Sequence, residues 1–314
     1  MIEDPRIRTM ADLFEAWLGH LAVLGRSPST LASYRYKIDA VLDPAIGGLD
    51  PRSLTVLGID RLYAELIAGG MSPATVHHHH RILRAALSQG ARWGVVEANP
   101  ARLASPPSQR SAVGRPPSPA QVRQLVAFAA EGPCPRLASV ILLAATTGMR
   151  RGELAGLRWS RVDLEGCSVE VASSIWQVAS RWGEKLPKSQ QHRRVPLGER
   201  TMALLTDLRV ETGSSHDAFV LSRGHGEQPF LPDAITSAFR RTLVSLRSAT
   251  GEHWPFRFHD LRHFTATELF RAGHSATTVA ARLGHADVAV TLRTYAHDTE
   301  DQARRAGADI EREL

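Results

Sequence analysis

The sequence predicts a mainly α protein with a small antiparallel β-sheet, divided into an N-terminal helical bundle and a C-terminal α+β domain. Three observations carry this reading. Apolar residues recur at helical spacing from about Thr9 to Ala104, a Pro-, Ser- and Arg-rich stretch interrupts them, and β-branched alternation enters only later, between Cys167 and Leu197. A chain of 314 residues also exceeds the usual domain length of about 100 to 150 residues, so two cores are expected. The boundaries are set at residues 1–104 for the bundle, 105–118 for the linker and 119–314 for the second domain with its C-terminal tail.

Each bundle helix has an apolar stripe, and two have a Ser-Pro start. Met10, Leu13, Phe14, Trp17, Leu18 and Leu21 recur at three and four spacings, one face of a first helix. Ser27-Pro28 opens a second, because serine caps free amides and proline is tolerated in the first turn; Leu31, Tyr34, Ile38 and Val41 form its stripe. A third covers Gly58 to Ala68, with Leu62, Leu66 and Ile67 as its stripe, and stops at Gly69-Gly70, and a fourth runs from Ser72-Pro73 through Val76, Leu83, Leu87 and Trp93 to Gly94. Inside it His77, His78, His79 and His80 point in different directions, so they cannot serve one site, and solvent or a polar partner is their expected environment.

From Ala101 to Ser118 the composition shifts to Ser, Pro, Gly and Arg, and Pro106-Pro107 and Pro116-Pro117 exclude regular structure. Arg102, Arg110 and Arg115 stand there without nearby acids; a solvated tether and a tracker of a phosphate backbone fit equally. Beyond it, helices are predicted at Ala120 to Ala130, Pro135 to Thr146 and, after the Thr147-Gly148 break, Arg151 to Leu157. Val169, Val171 and Val195 mark the sheet, Phe219-Val220-Leu221 is a candidate strand, and the remainder reads as helix.

The net charge of +6 and isoelectric point near 9.9 favour a polyanionic partner. Lysine stands only at Lys37, Lys185 and Lys188, so nearly all the basicity is arginine, which suits bidentate phosphate contacts. Cys134 and Cys167 lack metal-ligand spacing and read as reduced thiols. No run approaches the roughly 20 apolar residues of a membrane span, and Met1 to Pro5 lacks the features of a secretory leader, so a soluble, cytoplasmic protein is expected.

The chemistry concentrates in the second domain. Displacing an oxygen from a phosphodiester loads negative charge onto the non-bridging oxygens, and fixed cations aimed there supply the largest catalytic effect. Arg150, in Thr147-Gly148-Met149-Arg150, and Arg262, in His259-Asp260-Leu261-Arg262-His263, each fall near a predicted helix start beside other candidate residues. His259 and Arg262 are three apart and share a helix face. Lys188, near the turn between two predicted strands, can protonate a leaving alkoxide, with Lys185 as the alternative and a plain solvated turn residue as the bland reading. Tyr295 offers a phenol; ionising it at pH 7 costs about 4 kcal/mol unless neighbours help, and His259 and His285 are the candidates to do so. His259 and His263 have the four-residue spacing of a zinc pair, but Asp260 is a poor substitute for the glutamate of such motifs, so no metal is assigned.

Together Thr147-Gly148-Met149-Arg150, Glu153-Leu154, Lys188, His259 to His263, Leu283-Gly284-His285 and Tyr295 resemble a tyrosine site-specific recombinase of the phage integrase family, from about Pro119 to His297. The bundle resembles that family's core-site DNA-binding domain through the pattern around Ser72 to Pro100. The resemblance implies strand exchange on double-stranded DNA through a 3′-phosphotyrosyl intermediate, with Tyr295 as nucleophile. It implies that Arg150 and Arg262 clamp the phosphate, that Lys188 is the general acid, and that His259 assists Tyr295 while His285 binds the phosphate. Glu153 and His263 would orient these groups. No cofactor is implied, because the bond energy stays in the phosphotyrosine. Two domains clamping the duplex and a homotetramer on two DNA sites are implied as well. Only a short stretch precedes Thr9, which predicts no additional arm-site domain, and Asp298 to Leu314 reads as a helix docking on a neighbouring protomer or as an exposed tail. Relaxation of DNA in the manner of a type IB topoisomerase, and non-catalytic DNA binding, are the alternative functions.

Overall fold

The computed structural model describes residues 7–108, 116–186, 192–212, 215–222, 224, 226–285, 287–289 and 292. The chain divides into two compact units, Met1–Ala112 and Val113–Leu314.

In the first unit, helix α1 (Met10–Val23) starts at Thr9, whose hydroxyl accepts the Asp12 amide at 3.1 Å while the Asp12 carboxylate accepts the Thr9 amide at 2.9 Å. This reciprocal cap satisfies two donors that would otherwise be orphaned. All six predicted stripe residues of α1 are buried. Helix α2 (Pro28–Lys37) runs into a π-helical turn, Ile38–Leu42, and then α3 (Asp43–Ile46). The π turn changes the predicted stripe. One extra residue per turn rotates the following positions, so Leu42 rather than Val41 enters the core beside Ile38.

Helices α4 (Val56–Ala68) and α5 (Pro73–Arg92) follow, each capped by a hydroxyl: Thr55 accepts the Gly58 amide at 3.0 Å, and Ser72 accepts the Thr75 amide at 3.2 Å. The histidine run departs from its expected polar environment. His79 and His80 are buried, and His80 Nδ1 shares a 2.8 Å hydrogen bond with the Tyr63 hydroxyl. A twenty-residue helix packed against α1 and α4 must direct part of any four-residue run inward.

The second unit opens with α6 (Pro119–Ala130) and α7 (Arg136–Thr147), which pack on each other, and the short α8 (Arg151–Ala155). Strands β1 (Val162–Asp163) and β2 (Ser168–Val171) come next, then the hairpin β3 (Ser174–Val178) and β4 (Arg181–Lys185), and then β5 (Arg193–Pro196). The sheet is antiparallel in the order β1-β2-β5, with Val169 opposite Val195 and both fully buried. The β3–β4 hairpin forms a separate two-stranded sheet inserted between two neighbours of the first.

Helices α9 (Glu199–Thr212), α10 (Pro232–Thr250), α11 (Asp260–Arg271) and α12 (Ala276–Leu283) complete the described elements. Phe219-Val220-Leu221 is not a strand. Phe219 makes one isolated bridge to Arg158, and the Val220 amide donates to Leu157 O at 2.9 Å, so the segment is pinned to the α8–β1 connection rather than to the sheet. Its side chains join Trp159 and Phe230 in the core, which explains their apolar character without a ladder.

The Tyr63–His80 bond connects α4 to α5 inside the first core. Tyr63→Phe should cost about 1–2 kcal/mol, because it strands a buried imidazole nitrogen. Urea unfolding of the two proteins measures this, and equal midpoints would show that the hydrogen bond contributes nothing.

Candidate active site

Four of the sequence-predicted groups meet in the second unit, and backbone geometry brings them there. Helix α7 ends at Gly148, in the left-handed region at φ +67°; a Cβ there would lie 2.4 Å from Leu283 Cδ2. Both facts require glycine. The turn delivers Arg150 to the start of α8, where its amide donates to Glu153 Oε2 at 2.9 Å and its Nη1 to Glu153 Oε1 at 2.8 Å. Arg150 Nη2 reaches the carbonyl of Gly284 at 3.2 Å, leaving the side chain 27% exposed.

Helix α11 supplies the second guanidinium. Arg262 is buried, and its Nη1 donates to the carbonyl of Gly148 at 2.7 Å. Thr265, one turn on, donates its hydroxyl to Ala145 O at 2.9 Å, so α11 is fastened to the end of α7 at two points. The carbonyls there have no helical partners, and the helix dipole is negative at that end, which makes them good anchors for a cation. Asp260 starts α11 and accepts from the Arg257 amide at 2.7 Å and from Arg257 Nη2 at 3.2 Å.

His259 immediately precedes α11, with its ring edge-to-face on His263 at 5.1 Å between centroids. His285 follows α12, which ends at Gly284 in the left-handed conformation; the His285 amide donates to Ala280 O at 3.0 Å. Desolvation, then Arg262, Arg150 and Arg193, depress the His285 pKa to about 4. His259 is lowered to about 4 by desolvation, then by His263 and Arg262, although Asp260 opposes the shift. His259 retains an exposed face, where water moderates the effect. Both imidazoles are therefore neutral at pH 7 before any anion arrives. An entering phosphate would raise both.

Arg150, Arg262, His259 and His285 thus form one cationic and imidazole cluster. Lys188 and Tyr295 lie outside the described residues. The sequence reading missed Arg193, on β5, whose Nη2 donates to Glu153 Oε2 at 2.6 Å and whose Nε donates to Arg282 O at 3.0 Å. A signal existed. In β5 the side chains alternate, so Arg193 shares the inward face with Val195, and a charge on a buried face requires a partner. Glu153 itself is 1% exposed. Burial pushes its pKa up, but hydrogen bonds and charge from Arg193 and Arg150 outweigh that and hold it below the usual carboxylate value.

Fixed guanidinium donors beside neutral imidazoles suit stabilisation of a phosphoryl group that gains charge while protons move nearby. The phage integrase family model matches residues 118–302, which contain the whole cluster. The chain belongs to the phage integrase family. It is a tyrosine recombinase, an enzyme that breaks and rejoins DNA. A tyrosine recombinase XerC-like protein of Caldanaerobacter subterraneus subsp. tengcongensis is 25% identical over 323 residues, covering 95% of this chain and 81% of the relative. The Tn1549 transposon integrase in complex with a circular intermediate DNA has a similar fold, with a TM-score of 0.83 at 21% identity over 98% of this chain and 100% of that one. A lambda integrase tetramer bound to a Holliday junction aligns with a TM-score of 0.69 at 19% identity, over 91% of this recombinase and 80% of that chain. No helix among the described residues is long and apolar enough to cross a membrane.

The lowered pKa values of His259 and His285 contribute to the pH response of the free recombinase. Above about pH 6.5 both folded and unfolded His259 and His285 are neutral; as pH falls towards 4 the unfolded chain binds protons that the fold refuses. Stability should therefore decrease over that window, and less so in a His259→Gln/His285→Gln variant. Urea titrations at steps between pH 7 and pH 4 compare the two slopes, and parallel curves would contradict the assignment.

Proposed function

We propose that the recombinase exchanges strands of double-stranded DNA at specific sites by attack of the Tyr295 hydroxyl on a backbone phosphorus. The Tyr295 O–P bond forms as the P–O5′ bond breaks, leaving a 3′-phosphotyrosine and a free 5′-hydroxyl. Attack by the 5′-hydroxyl of another strand then reverses each change and releases the tyrosine. One phosphodiester replaces another, so the reaction needs no external energy source.

The convergence of Arg150, Arg262, His259 and His285 in the second unit carries this reading. Arg150 and Arg262 stabilise charge on the non-bridging oxygens. Both are already anchored to carbonyls, so little reorganisation is needed when the transition state forms. Neutral His259 accepts the phenol proton, and neutral His285 donates a ring N–H to the phosphate. Lys188 protonates the departing O5′. Glu153 and His263 hold the neighbouring arginine and histidine in place.

In this reading residues 1–104 bind the core site, 105–118 link them to the catalytic domain, and 119–314 carry the chemistry. Four protomers act on two DNA sites, and the reaction takes place in the cytoplasm. The basic composition, dominated by arginine, matches the phosphate backbone as a partner.

A nicked duplex, selected from a randomised pool for binding to the wild-type protein, should yield a covalent protein–DNA adduct that survives denaturation. Tyr295→Phe should abolish it, and an adduct formed by that variant would remove Tyr295 from the mechanism. Arg150→Ala and Arg262→Ala should each slow adduct formation by about 10²–10³-fold, the usual effect of deleting one oxyanion donor. Wild-type protein that relaxes supercoils without joining two sites would favour the topoisomerase alternative. DNA affinity should fall steeply as salt rises, since phosphate contacts release counterions. A flat response in filter binding between 50 and 200 mM salt, the range in which phosphate-dominated binding typically changes by orders of magnitude, would sink that part of the proposal.

A further inference from the structure

We propose that Arg193 is a positioning residue that absorbs the charge of Glu153, so that Arg150 keeps its positive charge for the scissile phosphate. The inference rests on the reading of Arg150 as a phosphate ligand. Arg193 touches neither the substrate nor the nucleophile in this scheme and acts through its neighbours.

The charge balance motivates the assignment. Glu153 is 1% exposed, so its ionised carboxylate must be paired. Were Arg150 the sole partner, the two would form a closed, neutral salt bridge, and the guanidinium would offer the phosphate little net charge. Arg193, only 8% exposed, approaches from β5 and changes that balance. Its Nη2 lies 2.6 Å from Glu153 Oε2 and its Nη1 3.3 Å from Oε1, a two-pronged contact with the carboxylate. Arg150 meets the same group with its amide at 2.9 Å and one guanidinium nitrogen at 2.8 Å, and its other terminal nitrogen extends to Gly284. Four donors fill the lone pairs of the carboxylate. Two cations share one anion, and the more exposed cation, Arg150, retains the excess.

Arg193 also positions the end of α12. Its Nε donates to Arg282 O at 3.0 Å, two residues before the Gly284 carbonyl that receives Arg150. Gly284 lies against the guanidinium so closely that a Cβ there would sit 2.8 Å from Arg193 Nη1. The segment that presents His285 is thereby clamped by two arginines, which in turn share a single carboxylate. A lysine could supply the charge but not the three directed donors in one plane.

The test uses full-length wild type, Arg193→Met, Arg193→Lys, Glu153→Gln and the Arg193→Met/Glu153→Gln double variant on the pool-selected nicked duplex. Cut strand is counted whatever side chain it becomes joined to. A failed nucleophile assignment therefore appears only in the Tyr295→Phe control, and a failed role for Arg193 only in this series. Arg193→Met should slow single-turnover cleavage about tenfold to a hundredfold while DNA affinity stays within about twofold, and Arg193→Lys should recover part of the rate. Removing the carboxylate that then neutralises Arg150 should rescue cleavage, so the double variant should cut at least severalfold faster than Arg193→Met. Lowering the pH should narrow the gap between Arg193→Met and wild type, because protonating Glu153 frees Arg150. A double variant no faster than Arg193→Met, or rates that follow the thermal midpoints across all five proteins, would reduce Arg193 to a fold-stabilising residue and overturn the proposal.

Discussion

The second unit is organised around one buried carboxylate. Glu153 cannot stay ionised inside a protein without compensating charge, and the fold supplies it from two directions, α8 and β5. The same two arginines continue past Glu153 to the carbonyls at the end of α12. A short helix, a strand and a helix terminus, far apart in the chain, are thus held in one arrangement by a set of charge-assisted hydrogen bonds. His285 takes its place from that arrangement, as does the exposed edge of Arg150.

Arg262 follows the same logic by a different route. It is buried, but its anchor is a carbonyl at the turn that ends α7, the turn that also directs Arg150. Gly148 therefore serves both arginines, accepting from one with its oxygen and steering the other with its left-handed backbone. Both guanidinium groups are thus fixed in part by backbone carbonyls, at Gly284 and at Gly148.

Local signals in the sequence were read well where short-range physics governs. The α1 stripe, the cap at Ser72 and the strand character of the Val169 and Val195 segments depend on residues a few positions apart or on simple alternation. The shift from Val41 to Leu42 escaped because a π turn leaves no periodic trace of its own. The Phe219 segment was expected as a strand because an apolar run has the same appearance whether it pairs in a ladder or fills a core. Burial of His79 and His80 was decided by where α1 and α4 pack, not by any property of histidine.

The sequence by itself determined most of the helices, the region of the sheet and the family, because periodicity, capping chemistry and motif spacing are written in neighbouring residues. Tertiary structure alone decided which charges face one another. Arg150 meets Gly284 across 134 residues and Arg262 meets Gly148 across 114, separations over which no local pattern extends. Arg193 is the clearest instance: in the sequence it is one arginine among many, and only the closing of β5 onto α8 and α12 gives it a carboxylate to hold. The physical reason is that a buried charge is tolerated only where the folded chain brings its partner, and that partner is chosen by packing.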